Sequence, residues 1–74
     1  MNTNFEFEKF LKQVAKNIKT SRESAGLTQM DMIEYGFNYR HYQRLESGQA
    51  GCNLQTLFRL SKAFKVTVAS FLEL

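Results

Sequence analysis

Apolar residues recur at three- and four-residue steps through the first third of the chain. Phe7, Leu11, Val14, Ile18 and Ala25 therefore share one helical face. At about 100° per residue, Lys9, Lys12, Lys16 and Lys19 lie roughly opposite that face, and Arg22 falls at its edge. Thr3 and Glu6 have capping-box spacing, acids in the opening turn suit the positive end of the helix dipole, and Gly26 supplies a stop. A second, short helix is predicted from Thr28, a good N-cap, to about Tyr35, ended by Gly36. Asn38 caps a third helix that runs to Ser47 and stops at Gly48. After a loop over 49–53, Asn53 caps a fourth, with Leu54, Leu57, Leu60, Ser61 and Phe64 facing inward. Thr67 opens a last short helix carrying Val68, Phe71 and Leu72. No strand pattern competes. The expectation is an all-α fold, a compact bundle of five helices forming one domain over 1–74.

The third predicted helix carries the functional signal. On a wheel of about 100° per residue, Tyr42 and Leu45 point one way and can pack on a core. Tyr39, Arg40, Gln43, Arg44 and Ser47 occupy one arc on the other side. Arg bonds bidentately to guanine and Gln to adenine, while Tyr and Ser hydroxyls reach phosphate or base. An ordinary exposed helix also shows Arg, Gln and Ser, but more often carries Lys and Glu, and this arc has neither. Glu46 sits at the border of the buried arc, as Arg22 does on the first helix. Periodicity alone allows either an ion pair tying the two helices or two unrelated surface charges.

Composition changes the picture in two places. Seven Phe and 43% apolar residues suffice for a folded core, and the lack of Pro favours helices. The single cysteine, Cys52, rules out an internal disulfide framework and fits a cytoplasmic setting. No apolar run approaches membrane-spanning length, and no secretory signal is evident. The net charge of +3 does not separate a nucleic-acid binder from a solvated surface. Five cations and no anion from Lys9 to Arg22, and a second group at Arg40, Arg44, Arg59, Lys62 and Lys65, leave both readings open.

Arg22, then Gly26-Leu27-Thr28-Gln29, then Arg44-Leu45-Glu46-Ser47-Gly48, then Leu54-Gln55-Thr56-Leu57 with Ser61-Lys62-Ala63-Phe64-Lys65-Val66 stand in an order that resembles a known family. It is the phage repressor and Cro helix-turn-helix family, also called the xenobiotic-response-element family. The resemblance runs from Val14 to Leu72, with the helix-turn-helix at about 28–47. It implies a lambda-repressor-like DNA-binding domain in which Arg22 pairs with Glu46. It further implies that Tyr39, Arg40, Gln43 and Arg44 face bases in the major groove, while Gln29 meets phosphate; the Thr28 and Ser47 hydroxyls are further candidates for phosphate contact. Double-stranded DNA and a second copy of the chain are the partners it implies. The function implied is that of a Cro-like or restriction-controller-like transcriptional regulator. Three departures stand out: Gln29 to Glu46 is one residue shorter than the family's usual pattern, Ile33 replaces a small residue that packs on the recognition helix, and Cys52 replaces a loop proline.

Other chemistries find little footing. One His and one Cys cannot complete a structural zinc site, so no metal or other cofactor is expected. A Cys–His nucleophile pair would lack an orienting third group, and the 48–51 loop lacks the Lys of a phosphate loop, so the chain reads as no enzyme. No small-molecule ligand is expected. His41 is expected to be packed and hydrogen-bonded, Phe5, Phe7 and Phe10 to complete the core, and Tyr35 and Phe37 to pack in the turn. Phe71 and Leu74 fit either the core or a dimer seam. The contrasting function is a protein-interaction module such as an antitoxin or other partner-binding helical domain.

Overall fold

The computed structural model describes residues 3–74, and these are all-helical, without a strand. Four α-helices form: α1 (Thr3–Ser24), α2 (Tyr39–Glu46), α3 (Leu54–Phe64) and α4 (Val68–Phe71). The second of the five predicted helices is not an α-helix but a 3-10 turn, Met30–Ile33. The backbone there bonds at three-residue spacing. Met32 N–H donates to Gln29 O at 3.1 Å and Glu34 N–H to Asp31 O at 3.1 Å.

Local chemistry sets the helix starts. The side chains of Asn38, Asn53 and Thr67 each accept the backbone N–H three residues on, at His41, Thr56 and Ser70. Thr28 and Asp31 form a reciprocal cap on the 3-10 turn. Thr28 N–H donates to Asp31 Oδ2 at 2.7 Å, and Asp31 N–H to Thr28 Oγ1 at 3.1 Å. Thr3 is already helical, so it does not occupy the cap position that its spacing from Glu6 suggested.

α1 packs against α2, α3 and α4, and encloses a core of Val14, Ile18, Met32, Phe37, Tyr42, Leu45, Leu57, Leu60, Phe64 and Phe71. Phe37 meets Tyr42 edge-on, and Phe64 meets Phe71. Gly48, at φ +76°, lets the end of α2 close on α1. A Cβ there would lie 2.9 Å from Lys12 Cγ and 3.2 Å from Lys12 Cα. Asn17 ties the C-terminal segment to α1, its Nδ2 donating to Phe71 O at 3.0 Å and Glu73 O at 2.7 Å.

Several expected core positions are surface positions. Phe5, Phe7 and Phe10 are 64%, 56% and 40% exposed, because α1 outruns the bundle it packs on. Its 22 residues span about 33 Å at 1.5 Å per residue, against extents of 24 and 20 Å across the shorter axes of the molecule. Leu54, in the first turn of α3, lies beyond its neighbours and is exposed, and Ala25 is exposed because α1 has ended before it. The tighter 3-10 winding turns Met32 fully inward and leaves Ile33 exposed, so Met32, not Ile33, fills the space behind α2. Tyr35 is exposed at the turn while Phe37 is buried, and the His41 ring points out from the first turn of α2. Phe71 belongs wholly to the core, and Leu72 and Leu74 are exposed.

Candidate nucleic-acid interface

The two faces of α2 differ sharply. Tyr42, Leu45 and Glu46 are buried. Arg40, Gln43, Arg44 and Ser47 are exposed and Tyr39 is half-buried, so the arc drawn from the sequence is a continuous outer face. Gln43 Nε2 donates to Tyr39 Oη at 3.1 Å, one turn apart. The Ser47 hydroxyl donates to Arg44 O at 3.1 Å and keeps its lone pairs for another donor. Among the described residues, neither the Arg40 nor the Arg44 guanidinium makes an ion pair or hydrogen bond.

Behind this face sits a buried polar cluster. Arg22 meets Glu46 with two hydrogen bonds, Nε to Oε2 at 2.6 Å and Nη2 to Oε1 at 3.1 Å. Its Nη1 donates to Leu27 O at 2.6 Å, and Gln29 Nε2 donates to Glu46 Oε1 at 3.0 Å. The cluster joins the end of α1, the following turn and the last turn of α2. Burial pushes the Glu46 carboxyl up, but the donors around it, Arg22 first, outweigh burial and hold it below the ordinary carboxylate value. Hydrogen bonding to Glu46 raises Arg22 despite its own burial. The Tyr42 hydroxyl lies against this pair, and burial above all keeps the phenol neutral. It has no hydrogen-bond partner of good geometry.

The positions expected to meet phosphate stand differently. Gln29 spends its amide on Glu46, which makes it a positioning residue for α2 rather than a free donor. Thr28 is engaged with Asp31, and that carboxylate sets a negative charge beside the expected phosphate contact. The sequence reading overlooked Asp31, although the Thr28-to-Asp31 spacing of a cap was visible.

It also passed over the task of Arg59. This side chain lies over the Phe37 ring at 4.3 Å and donates to Tyr35 O at 2.9 Å, bracing the turn before α2. A Cβ at Gly36, where φ is +88°, would come within 2.9 Å of its Nη2. Beside it, Tyr35, Phe58, Lys62 and Ala63 complete a shallow groove, with Lys62 Nζ 5.2 Å from the Phe58 ring centre.

No group of three or more metal-ligating side chains gathers among the described residues, and none of their helices is long and apolar enough to cross a membrane. Cys52 is half-buried, and burial pushes its thiol up. No protein-family model, curated protein or solved structure matches the chain.

Proposed function

We propose that this chain is a helix-turn-helix protein that binds duplex DNA sequence-specifically and regulates transcription. The 3-10 turn and α2 would form the helix-turn-helix unit, with α2 in the major groove. One observation carries the reading: Arg40 and Arg44 project unpaired from the same face as Gln43, on a helix whose opposite face is locked to α1 by the Arg22–Glu46 pair. Unpaired guanidinium groups on a rigid helix suit base edges and phosphates, since their donors are unspent and their positions defined. The resemblance to the repressor and Cro family assigns base contacts to Tyr39, Arg40, Gln43 and Arg44. Phosphate contact falls to Ser47 and the Thr28 hydroxyl, with Gln29 holding Glu46. The working unit in this reading is a two-fold dimer on a pseudo-palindromic site, with half-site centres roughly 10 bp apart.

Selection of bound sequences from random duplex DNA tests this directly. A recovered consensus, bound with affinity that falls steeply as salt rises, is the expected result. Enrichment of no sequence, together with no salt-dependent binding, would leave a protein-interaction module as the better reading. The exposed Phe7 and Phe10 favour that rival.

A further inference from the structure

Lysine and arginine divide the surface between them. The outward arc of α2 carries Arg40 and Arg44 and no lysine, whereas the exposed cations of α1 are all lysines, Lys9, Lys12, Lys16 and Lys19. At 100° per residue the four fall within an arc of about 80°, at steps of three and four residues. Each sits beside the next, and like charges so spaced destabilise a helix. Glu8 and Glu23 stand four residues from Lys12 and Lys19. Even so, among the described residues none of the four lysines makes an ion pair or a hydrogen bond. This edge carries charge that the chain itself does not neutralise.

Its place in the fold names the occupant. Arg22, which α1 sends to Glu46 of α2, lies about 60° from Lys19 and about 80° from Lys12 around the helix. Gly48, just past the end of α2, closes on Lys12, so that a Cβ there would meet Lys12 Cγ at 2.9 Å. Asn17, which holds the C-terminal segment, is about 140° from Lys12. The lysine edge is thus the flank of α1 that borders α2. Arg44 stands one turn before Gly48, and the Ser47 hydroxyl beside it keeps lone pairs for another donor. Positive charge continues from the outer face of α2 onto the side of α1.

A helix lying in the major groove has a phosphate backbone on either side, and an element packed against its end meets one of them. Lysine suits that contact. Its ammonium is a compact point charge on a flexible stem and follows phosphates without a fixed geometry, whereas the planar fork of arginine matches a base edge. Phosphate contacts position a protein and make its affinity salt-dependent, and they carry no sequence information. We propose that Lys9, Lys12, Lys16 and Lys19 form a backbone clamp that holds the phosphates of the duplex beside α2. The inference rests on the DNA reading and adds a division of labour to it: the arginines of α2 select, and the lysines of α1 hold.

The test is the salt dependence of binding to the selected duplex and to random duplex, for the full chain and for K9Q/K12Q/K16Q/K19Q. Glutamine keeps part of the aliphatic stem and the helix propensity, and relieves like-charge repulsion, so the helical circular dichroism and melting temperature should not fall. Affinity for both duplexes should drop alike, by about tenfold or more at low salt, and the slope of log K against log salt should become shallower by about 3–4. K12Q/K19Q, nearest the α2 side, should account for about 2 of that change. K62Q/K65Q removes the same charge from α3, whose helix neighbours are α1 and α4, and should leave the slope nearly unchanged. Equal changes in these two pairs, a slope that no α1 variant alters, or a loss confined to the selected duplex would overturn the clamp and leave the DNA reading standing. A parent chain that binds no duplex would remove that reading and the clamp together. Binding of the parent, but not of the fourfold variant, to vesicles of phosphatidylserine and phosphatidylcholine would then assign this edge to an anionic membrane surface.

Discussion

The inner and outer faces of α2 carry the same kind of chemistry in opposite conditions. Inside, Glu46 takes donors from Arg22 and Gln29, and Arg22 in turn reaches Leu27 O. Outside, Arg40 and Arg44 are exposed with no such partners among the described residues. A guanidinium that has a buried carboxylate beside it is part of the scaffold. One that has none is available to something else. The charges of this chain thus divide by what they already hold, and net charge does not reveal that division.

The largest expected effect lies on the inner face. Glu46→Ala strands the Arg22 guanidinium in a buried site and should destabilise the fold by about 3–5 kcal/mol, read from denaturant unfolding. Arg22→Ala should cost a similar amount, and the double variant clearly less than the sum of the two. Strict additivity would mean that the pair does not act as a unit.

The same pair sets an acid limit. The Glu46 carboxyl is held below its ordinary value in the folded state. Its contribution to stability is therefore present above the unfolded value, about 4.3 for Glu, and is lost as pH falls through the lower folded one. The melting temperature should drop over that window. Glu46→Gln should start lower and lose part of the slope, and an unchanged slope would place the acid sensitivity elsewhere.

On the outer face the expected change is in binding and not in folding. Once a preferred duplex is in hand, Arg44→Ala or Arg40→Ala should weaken it by about 1–3 kcal/mol with little effect on random DNA. Their unfolding free energies should stay within about 0.5 kcal/mol of the parent. Equal losses on preferred and random duplexes would reduce both residues to phosphate contacts.

The sequence showed this division only in part. Periodicity placed Tyr42 and Leu45 inside and Arg40, Gln43 and Arg44 outside, because an eight-residue helix with one packed face leaves few choices. Asn38, Asn53 and Thr67 were readable as caps because their side chains act within three residues. What was hidden depended on tertiary placement. Phe7 and Phe10 have core spacing, but spacing cannot say where the bundle beneath a long helix ends. The 3-10 winding that turns Met32 inward and Ile33 outward shifts the expected face. Arg59 looked like one more surface cation until Phe37 and Tyr35 O came within its reach.

The smallest effect sharpens the boundary of the inner cluster. Tyr42 is fully buried against the Arg22–Glu46 pair, yet its hydroxyl has no hydrogen-bond partner of good geometry. An unsatisfied buried hydroxyl has given up its water and gained nothing in return. Removing the oxygen should therefore cost little or help, while the ring keeps its edge-on contact with Phe37. Tyr42→Phe is expected to leave stability unchanged or raise it by up to about 1 kcal/mol. It should also leave the acid unfolding window of Glu46 where it is. A loss greater than about 1 kcal/mol, with the acid window moved upward, would mean that the hydroxyl donates to Glu46. The cluster would then hold four side chains rather than three, and Tyr42 would join Arg22 and Gln29 in fixing the angle at which α2 presents its arginines.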